Sequence, residues 1–253
     1  MNAPQTWALD LDGVVWLAGQ PIPGAPEAVR RLRDAGHRVV FMTNNGSPVV
    51  ADHAAALVAA GVEASVDEVL TSAQAAALLL EPGWTVHVLG GPGAVEAVEA
   101  RGCTVKMEGP VDAVIVGMNR AFGYQSVHAA ATAVREGARF IGTNDDPTYP
   151  TPEGLFPGAG SLIAAVATAG GRAAEYAGKP HPPMAALAAE RVGHVDVMVG
   201  DRITTDGLMA REMGSRFALV LTGVTDAATA AAMDPPADLV AADLAAAVAE
   251  WAG

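Results

Sequence analysis

Trp7-Ala8-Leu9-Asp10-Leu11-Asp12-Gly13-Val14 is the stretch on which the fold turns. Trp7–Leu11 reads as a buried strand that ends on two carboxylates two residues apart. Side chains at i and i+2 of an extended chain share a face, so Asp10 and Asp12 should stand together at a strand tip. Two neighbouring anions call for a cation, and a hard, oxygen-ligated ion such as Mg2+ suits them. Gly13 permits a sharp exit from the strand. Taken alone, Asp-x-Asp-Gly also fits a solvated turn. A calcium-binding EF-hand loop does not fit, because further oxygen ligands and a closing Glu are missing after Val14.

Outward from this strand the chain alternates short apolar runs with amphipathic segments. Helix Pro26–Ala35 should stop at Gly36, and strand Arg38–Thr43 should follow. Ser47 and Pro48 read as the N-cap and first residue of a helix reaching about Ala60. The grammar then repeats: strands Thr85–Leu89, Ala113–Gly117 and Arg139–Gly142, with helices Ala94–Ala100, Tyr124–Glu136 and Ser161–Ala169. Near the end come helix Pro183–Val192, strand Val195–Val199, a helix near Thr205–Met213 and strand Phe217–Leu221. A last short strand at Asp238–Val240 precedes a helix ending near Trp251. Strands separated by helices mean parallel sheets with crossover connections. The expected fold class is therefore α/β.

In open parallel sheets ligands bind beyond the carboxyl ends of the strands, and four strand ends carry chemistry. The first is Asp10/Asp12. The second is Thr43-Asn44-Asn45-Gly46, whose hydroxyl, amide and turn N–H groups can donate to phosphate oxygens beside a helix start. A polar turn with an N-cap is the plainer reading. The third is Gly178-Lys179-Pro180. Lys179 is one of only 15 basic residues and could neutralise a transferring phosphoryl group, or be a surface lysine. The spacing is not that of a P-loop, and His181 reads as a local hydrogen-bonding residue. The fourth is Gly200-Asp201-Arg202-Ile203-Thr204-Thr205-Asp206. Asp201 can ligate an ion directly, while Asp206 can act through water, orient the ligands, or cap a helix. Gly90-Gly91-Pro92-Gly93 lacks the full dinucleotide-binding pattern and reads as a strand-to-helix turn.

In that order the four segments resemble the motifs of the haloacid dehalogenase superfamily, specifically phosphatases of the NagD, p-nitrophenylphosphatase, phosphoglycolate and pyridoxal phosphatase subgroup. Thr71-Ser72-Ala73-Gln74, Thr143-Asn144-Asp145-Asp146 and Pro157-Gly158-Ala159-Gly160 extend the likeness over nearly the whole chain. The resemblance implies a Rossmann-like core, residues 1–72 and 177–253, interrupted by an α/β C2 cap, residues 73–176. It implies Mg2+-dependent hydrolysis of a small-metabolite phosphate monoester through an aspartyl phosphate. Asp10 would be the nucleophile and Asp12 the general acid and base. Asp10, Asp12, Asp201 and Asp206 would form the metal site. Thr43, Asn44, Asn45 and Lys179 would hold phosphate, and Asn144 and Asp146 would line the substrate entrance. Phosphoglycolate, glycerol phosphate, nucleoside monophosphates, sugar phosphates, pyridoxal phosphate and p-nitrophenyl phosphate all suit such a site. A homodimer through the cap is a further implication. Two departures occur. Asp145 stands where proline is common, which would alter the cap lip. Gly207 stands where an apolar residue is common, which would weaken a helical turn by up to about 1 kcal/mol. A receiver-like phosphate-accepting module and a phosphotransferase are the alternatives; Asp12, two residues after the nucleophile, favours hydrolysis.

Composition agrees with this reading. A formal charge of −13 over 253 residues disfavours nucleic acid and anionic membranes as partners. The single cysteine, Cys103, rules out an internal disulfide and suits a buried thiol in a reducing cytoplasm. No uninterrupted apolar run is long enough to span a membrane. Much of the apolar weight is alanine, which points to close packing of helices on sheets.

Overall fold

The computed structural model describes residues 3–252 except Ala18, Glu108 and Pro152. The chain divides into two compact units: Met1–Thr43, Ala51–Leu70 and Ala188–Gly253 form one, and Asn44–Val50 with Thr71–Leu187 form the other. The segment 73–176, expected from the resemblance to be an inserted cap, lies wholly within the second unit.

The first unit is built on a six-stranded sheet. Its strands run, side by side, Leu239–Ala241, Arg216–Val220, Val197–Gly200, Thr6–Leu9, Arg38–Thr43 and Val69–Thr71. Thr6–Leu9 pairs in parallel with both Val197–Gly200 and Arg38–Thr43, placing Leu9 beside Val199 and Phe41. These central strands are apolar on both faces because helices cover both; Trp7, Leu9, Phe41, Val197 and Val199 are all buried. Helix Ala25–Asp34 turns Ala25, Ala28, Val29 and Leu32 inward, the 3–4 spacing of an amphipathic helix. At the chain's end, helix Leu244–Trp251 sets Trp251 edge-on to Trp7 at 6.3 Å, with the Arg216 guanidinium 4.4 Å above the Trp251 ring.

The second unit has a five-stranded parallel sheet in the order Glu175–Tyr176, Arg139–Gly142, Ala113–Val116, Thr85–Leu89, Thr104–Val105. Helices Tyr124–Arg135 and Ala159–Gly170 pack over a core that includes Leu89, Val114, Val116, Phe140 and Ile163. Small residues set the helix spacing: a Cβ on Gly170 would lie 2.9 Å from Val134 Cγ1. Cys103 is buried. Among the described residues no helix is long and apolar enough to cross a membrane.

The elements depart from the sequence reading in instructive places. The helix expected from Ser47 begins at Val50. Ser47 is held elsewhere: its N–H donates to Asn45 Oδ1 (3.2 Å) and its carbonyl accepts from Gly93 N–H (2.9 Å). Its capping role passes to Glu96, whose carboxylate accepts from Val50 N–H at 2.9 Å, an anion at a helix N-terminus. The helix expected near Thr205 is a π-type turn, Ile203–Gly207, followed by helix Leu208–Met213. A Cβ on Gly207, within that turn, would lie 3.1 Å from the Phe217 ring. Gly91 does act as the N-cap of helix Pro92–Ala100, as the strand-to-helix reading requires.

Candidate metal centre and its surroundings

Asp10 immediately follows strand Thr6–Leu9, and Asp201 immediately follows Val197–Gly200. The two strands are parallel neighbours, and Asp10 N–H continues their ladder to Val199 O at 2.9 Å. Adjacent parallel strands therefore deliver both carboxylates to one edge of the sheet. The π-type turn brings a third. Asp10, Asp201 and Asp206 each offer a carboxylate oxygen, and these oxygens lie within 4.8 Å of one another. All three residues are buried, Asp206 completely.

Backbone N–H groups hold two of the three acids. Arg202 N–H donates to Asp206 Oδ2 (3.1 Å) while Asp206 N–H donates back to Arg202 O (2.9 Å). Asp206 thus satisfies the N–H at the start of its own turn, as the capping reading expects, while also offering an oxygen to the acid cluster. Val224 N–H donates to Asp201 Oδ2 at 2.6 Å, and Thr225 N–H to Asp201 O at 3.2 Å. Glycines make room: a Cβ on Gly223 would lie 1.9 Å from Asp201 Oδ2, and one on Gly13 2.6 Å from it. Gly13 also has φ of 86°, a left-handed conformation that favours glycine. Three buried carboxylates in one place repel strongly, and an all-oxygen donor set is what a hard divalent cation takes.

Asp12 lies outside this three-carboxylate group. The backbone turns between the two acids, with Leu11 O accepting from Val14, Val15 and Trp16 N–H. Asp12 Oδ1 instead accepts from the Trp16 indole at 3.1 Å. Thr43 ends strand Arg38–Thr43 and is buried.

The remaining anticipated residues gather within the second unit. Asn44 Nδ2 donates to Asp146 Oδ2 (2.9 Å) and to the Lys179 carbonyl (3.0 Å). The Asn44 carbonyl accepts from Asn144 Nδ2 (2.7 Å) and Ser72 Oγ (2.6 Å). Gly178 N–H donates to Thr143 O at 2.7 Å. Asn44, Asn144, Asp146 and Lys179 are thus one hydrogen-bonded cluster, with Lys179 1 % exposed, which excludes the surface-lysine reading. Asn45 Oδ1 accepts from Ser47 N–H within its turn at 3.2 Å. Asp145, the departure from proline, meets His181: Nε2 lies 3.1 Å from Oδ2, and the Tyr176 ring stacks on the imidazole at 5.5 Å. The hydrogen bond from His181 holds the Asp145 carboxyl below its ordinary range against the opposing effect of burial.

Sequence reasoning did not single out Trp16, or the segment Thr222-Gly223-Val224 that closes over Asp201. The second carried a visible signal. Thr222 comes two residues after strand Arg216–Val220, another strand end on the six-stranded sheet that carries Asp10 and Asp201.

Fold and acid cluster together define a Rossmann-like α/β protein with three clustered acids, able to hold a metal ion, at the carboxyl ends of its strands. The family model described as haloacid dehalogenase-like hydrolase matches residues 7–104, and a related HAD-hydrolase-like model matches residues 176–247. The chain is 39% identical over 237 residues to D-glycerol 3-phosphate phosphatase of Mycobacterium tuberculosis, covering 90% of this chain and 65% of that enzyme. It is 34% identical to an acid sugar phosphatase of Staphylococcus saprophyticus, covering 89% of each. The mycobacterial enzyme in complex with magnesium superposes with a TM-score of 0.89, at 36% identity over 95% of this chain and 75% of that one. NagD from Escherichia coli K-12 superposes with a TM-score of 0.87 at 31% identity, covering 96% of this chain and 97% of that one. The chain belongs to the haloacid dehalogenase-like hydrolases, in their NagD-like subgroup.

Proposed function

We propose that the protein is a Mg2+-dependent phosphatase that hydrolyses a small polyol or sugar phosphate through a phosphoaspartate on Asp10. The enzyme class, phosphoric monoester hydrolase, follows from its membership in the family. The observation that carries the finer reading is the convergence of Asp10, Asp201 and Asp206 within 4.8 Å. A divalent cation held there would offset the repulsion between an anionic nucleophile and an anionic ester.

The chain's own residues do the rest. The Asp10 carboxylate attacks phosphorus in line with the leaving oxygen. Asp12 protonates that oxygen, then removes a proton from the water that cleaves the phosphoaspartate. Thr43, Asn44, Asn45 and Lys179 bind the phosphoryl oxygens, and residues 73–176 act as a C2 cap whose Asn144 and Asp146 meet the rest of the substrate. The substrate class rests on relatives named for glycerol phosphate and acid sugars; those names differ, so a substrate panel identifies the individual metabolite.

The test is phosphate release from small monoesters, with Mg2+ and with chelator. Turnover should require the metal and should vanish in Asp10→Asn, while the far-ultraviolet circular dichroism stays native. Near-native turnover by Asp10→Asn would reject the nucleophile.

A further inference from the structure

Strands Arg139–Gly142 and Glu175–Tyr176 are parallel neighbours in the second unit, with Gly142 beside Tyr176. The loops leaving them therefore start side by side at the carboxyl edge of that sheet, the edge where parallel sheets bind ligands. One loop carries Thr143, Asn144, Asp145 and Asp146, and the other carries Gly178, Lys179 and His181. Gly178 N–H donates to Thr143 O at 2.7 Å, and His181 N–H closes the second loop onto Gly178 O at 2.8 Å. His181 thus ends the turn that carries Lys179. Across the two loops its imidazole Nε2 lies 3.1 Å from Asp145 Oδ2, and the Tyr176 ring covers one face of it at an interplanar angle of 23°. Neither side chain is sealed off: His181 is 28 % exposed and Asp145 43 %.

The bond from His181 holds the Asp145 carboxyl below its ordinary range. At neutral pH that carboxylate can only accept, so the shared hydrogen is on Nε2. In the neutral imidazole Nδ1 then keeps its lone pair and is itself an acceptor. Asp145 on one nitrogen and Tyr176 against one face fix the plane of the ring, so the direction in which Nδ1 accepts is set before a ligand arrives. A proline at position 145 would offer the ring no such partner. We propose that His181, oriented by Asp145, is a specificity-determining residue that accepts a hydrogen bond from a hydroxyl of the substrate's alcohol portion. The inference rests on the reading of the protein as a polyol or sugar phosphate phosphatase, with Lys179 on the phosphoryl group and Asp146 beside the rest of the ester. A polyol phosphate carries such a hydroxyl one or two carbons from its ester oxygen, and His181 comes two residues after the lysine assigned to the phosphoryl group. To a bare alkyl ester the ring would add nothing.

A pair of esters separates this role from a packing role. n-Propyl phosphate has the three-carbon skeleton of glycerol 3-phosphate and lacks its hydroxyls. Steady-state phosphate release with Mg2+ should show the parent preferring glycerol phosphate. His181→Gln places an amide nitrogen where Nε2 stood, which keeps a donor for Asp145, and leaves no acceptor where Nδ1 stood. It should lower kcat/KM for glycerol phosphate about tenfold, the worth of one good hydrogen bond, and leave n-propyl phosphate within about twofold. His181→Asn does the converse, putting a side-chain oxygen near the Nδ1 position without the reach to Asp145, and should keep part of the preference. A loss equal for both esters in His181→Gln, or no loss, would overturn the role of His181 and leave the phosphatase reading standing. A preference kept in His181→Gln and lost in His181→Asn would assign the residue to fastening its loop alone, and would overturn it too, as would a parent that hydrolyses both esters equally well. A parent that hydrolyses neither ester would reject the polyol phosphate reading, and this inference with it.

Discussion

Replacing Asp201 by Asn keeps the side chain's shape, and its amide oxygen can still accept from Val224 N–H, now 2.6 Å from Asp201 Oδ2. What changes is charge. Asp10, Asp201 and Asp206 have carboxylate oxygens within 4.8 Å of one another, and at an effective dielectric constant of 20 two such charges repel by about 3.5 kcal/mol. The substitution removes two of the three pairs, about 7 kcal/mol at that separation before solvent screening. Against it stands a charge-assisted hydrogen bond turned neutral, worth about 1–2 kcal/mol. The metal-free variant should therefore be more stable than the parent, by about 1–2 kcal/mol once solvent screening is allowed for, the usual size of an active-site trade-off. Urea unfolding in EDTA measures this directly. With Mg2+ at a hundredfold excess over its dissociation constant the parent should gain about 2.7 kcal/mol, and the variant little. An Asp201→Asn protein less stable than the parent in EDTA, or equally stabilised by Mg2+, would refute the argument that these acids form a strained, cation-seeking group.

Gly223→Ala places a Cβ 1.9 Å from Asp201 Oδ2, so the carboxylate must retreat about 1.5 Å to ordinary contact. The Mg2+ concentration for half-maximal activity should rise about 10- to 100-fold, read from a metal titration of phosphate release. Asn44→Ala removes donors to Asp146 and to the Lys179 carbonyl and should lower stability by about 2 kcal/mol, measured by denaturant unfolding. Burial holds His87 below its ordinary 6.5, against hydrogen bonds to the Lys106 and Met107 backbone that raise it. Below about pH 6.5 the unfolded chain binds a proton that the native chain refuses, so stability should fall as pH drops toward the folded pKa and then level off. A series of melting temperatures over about pH 5 to 8 should show this slope in the parent and a flatter one in His87→Gln.

Much of the second unit was legible residue by residue. Strands Thr85–Leu89 and Arg139–Gly142 are where their apolar runs put them, because a strand buried on both faces must be apolar throughout. Short pieces were not legible. The hairpins Trp16–Leu17/Gln20–Pro21 and Thr148–Thr151/Gly154–Pro157 carry too few residues for a period to emerge. Ser47 failed as a cap because the competition was tertiary: Glu96, 46 residues away from Val50, supplies the anion. Of the candidate site, Asp10 and Asp201 were recognisable as acids after apolar runs. Asp206, legible as either a ligand or a cap, both closes its turn and joins the acid cluster.

The order of residues alone determined that apolar strands would alternate with helices and that acids, Thr43 and Lys179 would stand at strand ends, since both follow from local periodicity and solvation. Tertiary structure alone decided that Thr6–Leu9 lies beside Val197–Gly200, and so that Asp10 meets Asp201. It also decided that Val224 orients one carboxylate and Trp16 another. Strand neighbours are chosen by crossover connections nearly two hundred residues long, and which atom of a carboxylate is held depends on a single donor arriving within about 3 Å. Neither distance has a signature in the local chain.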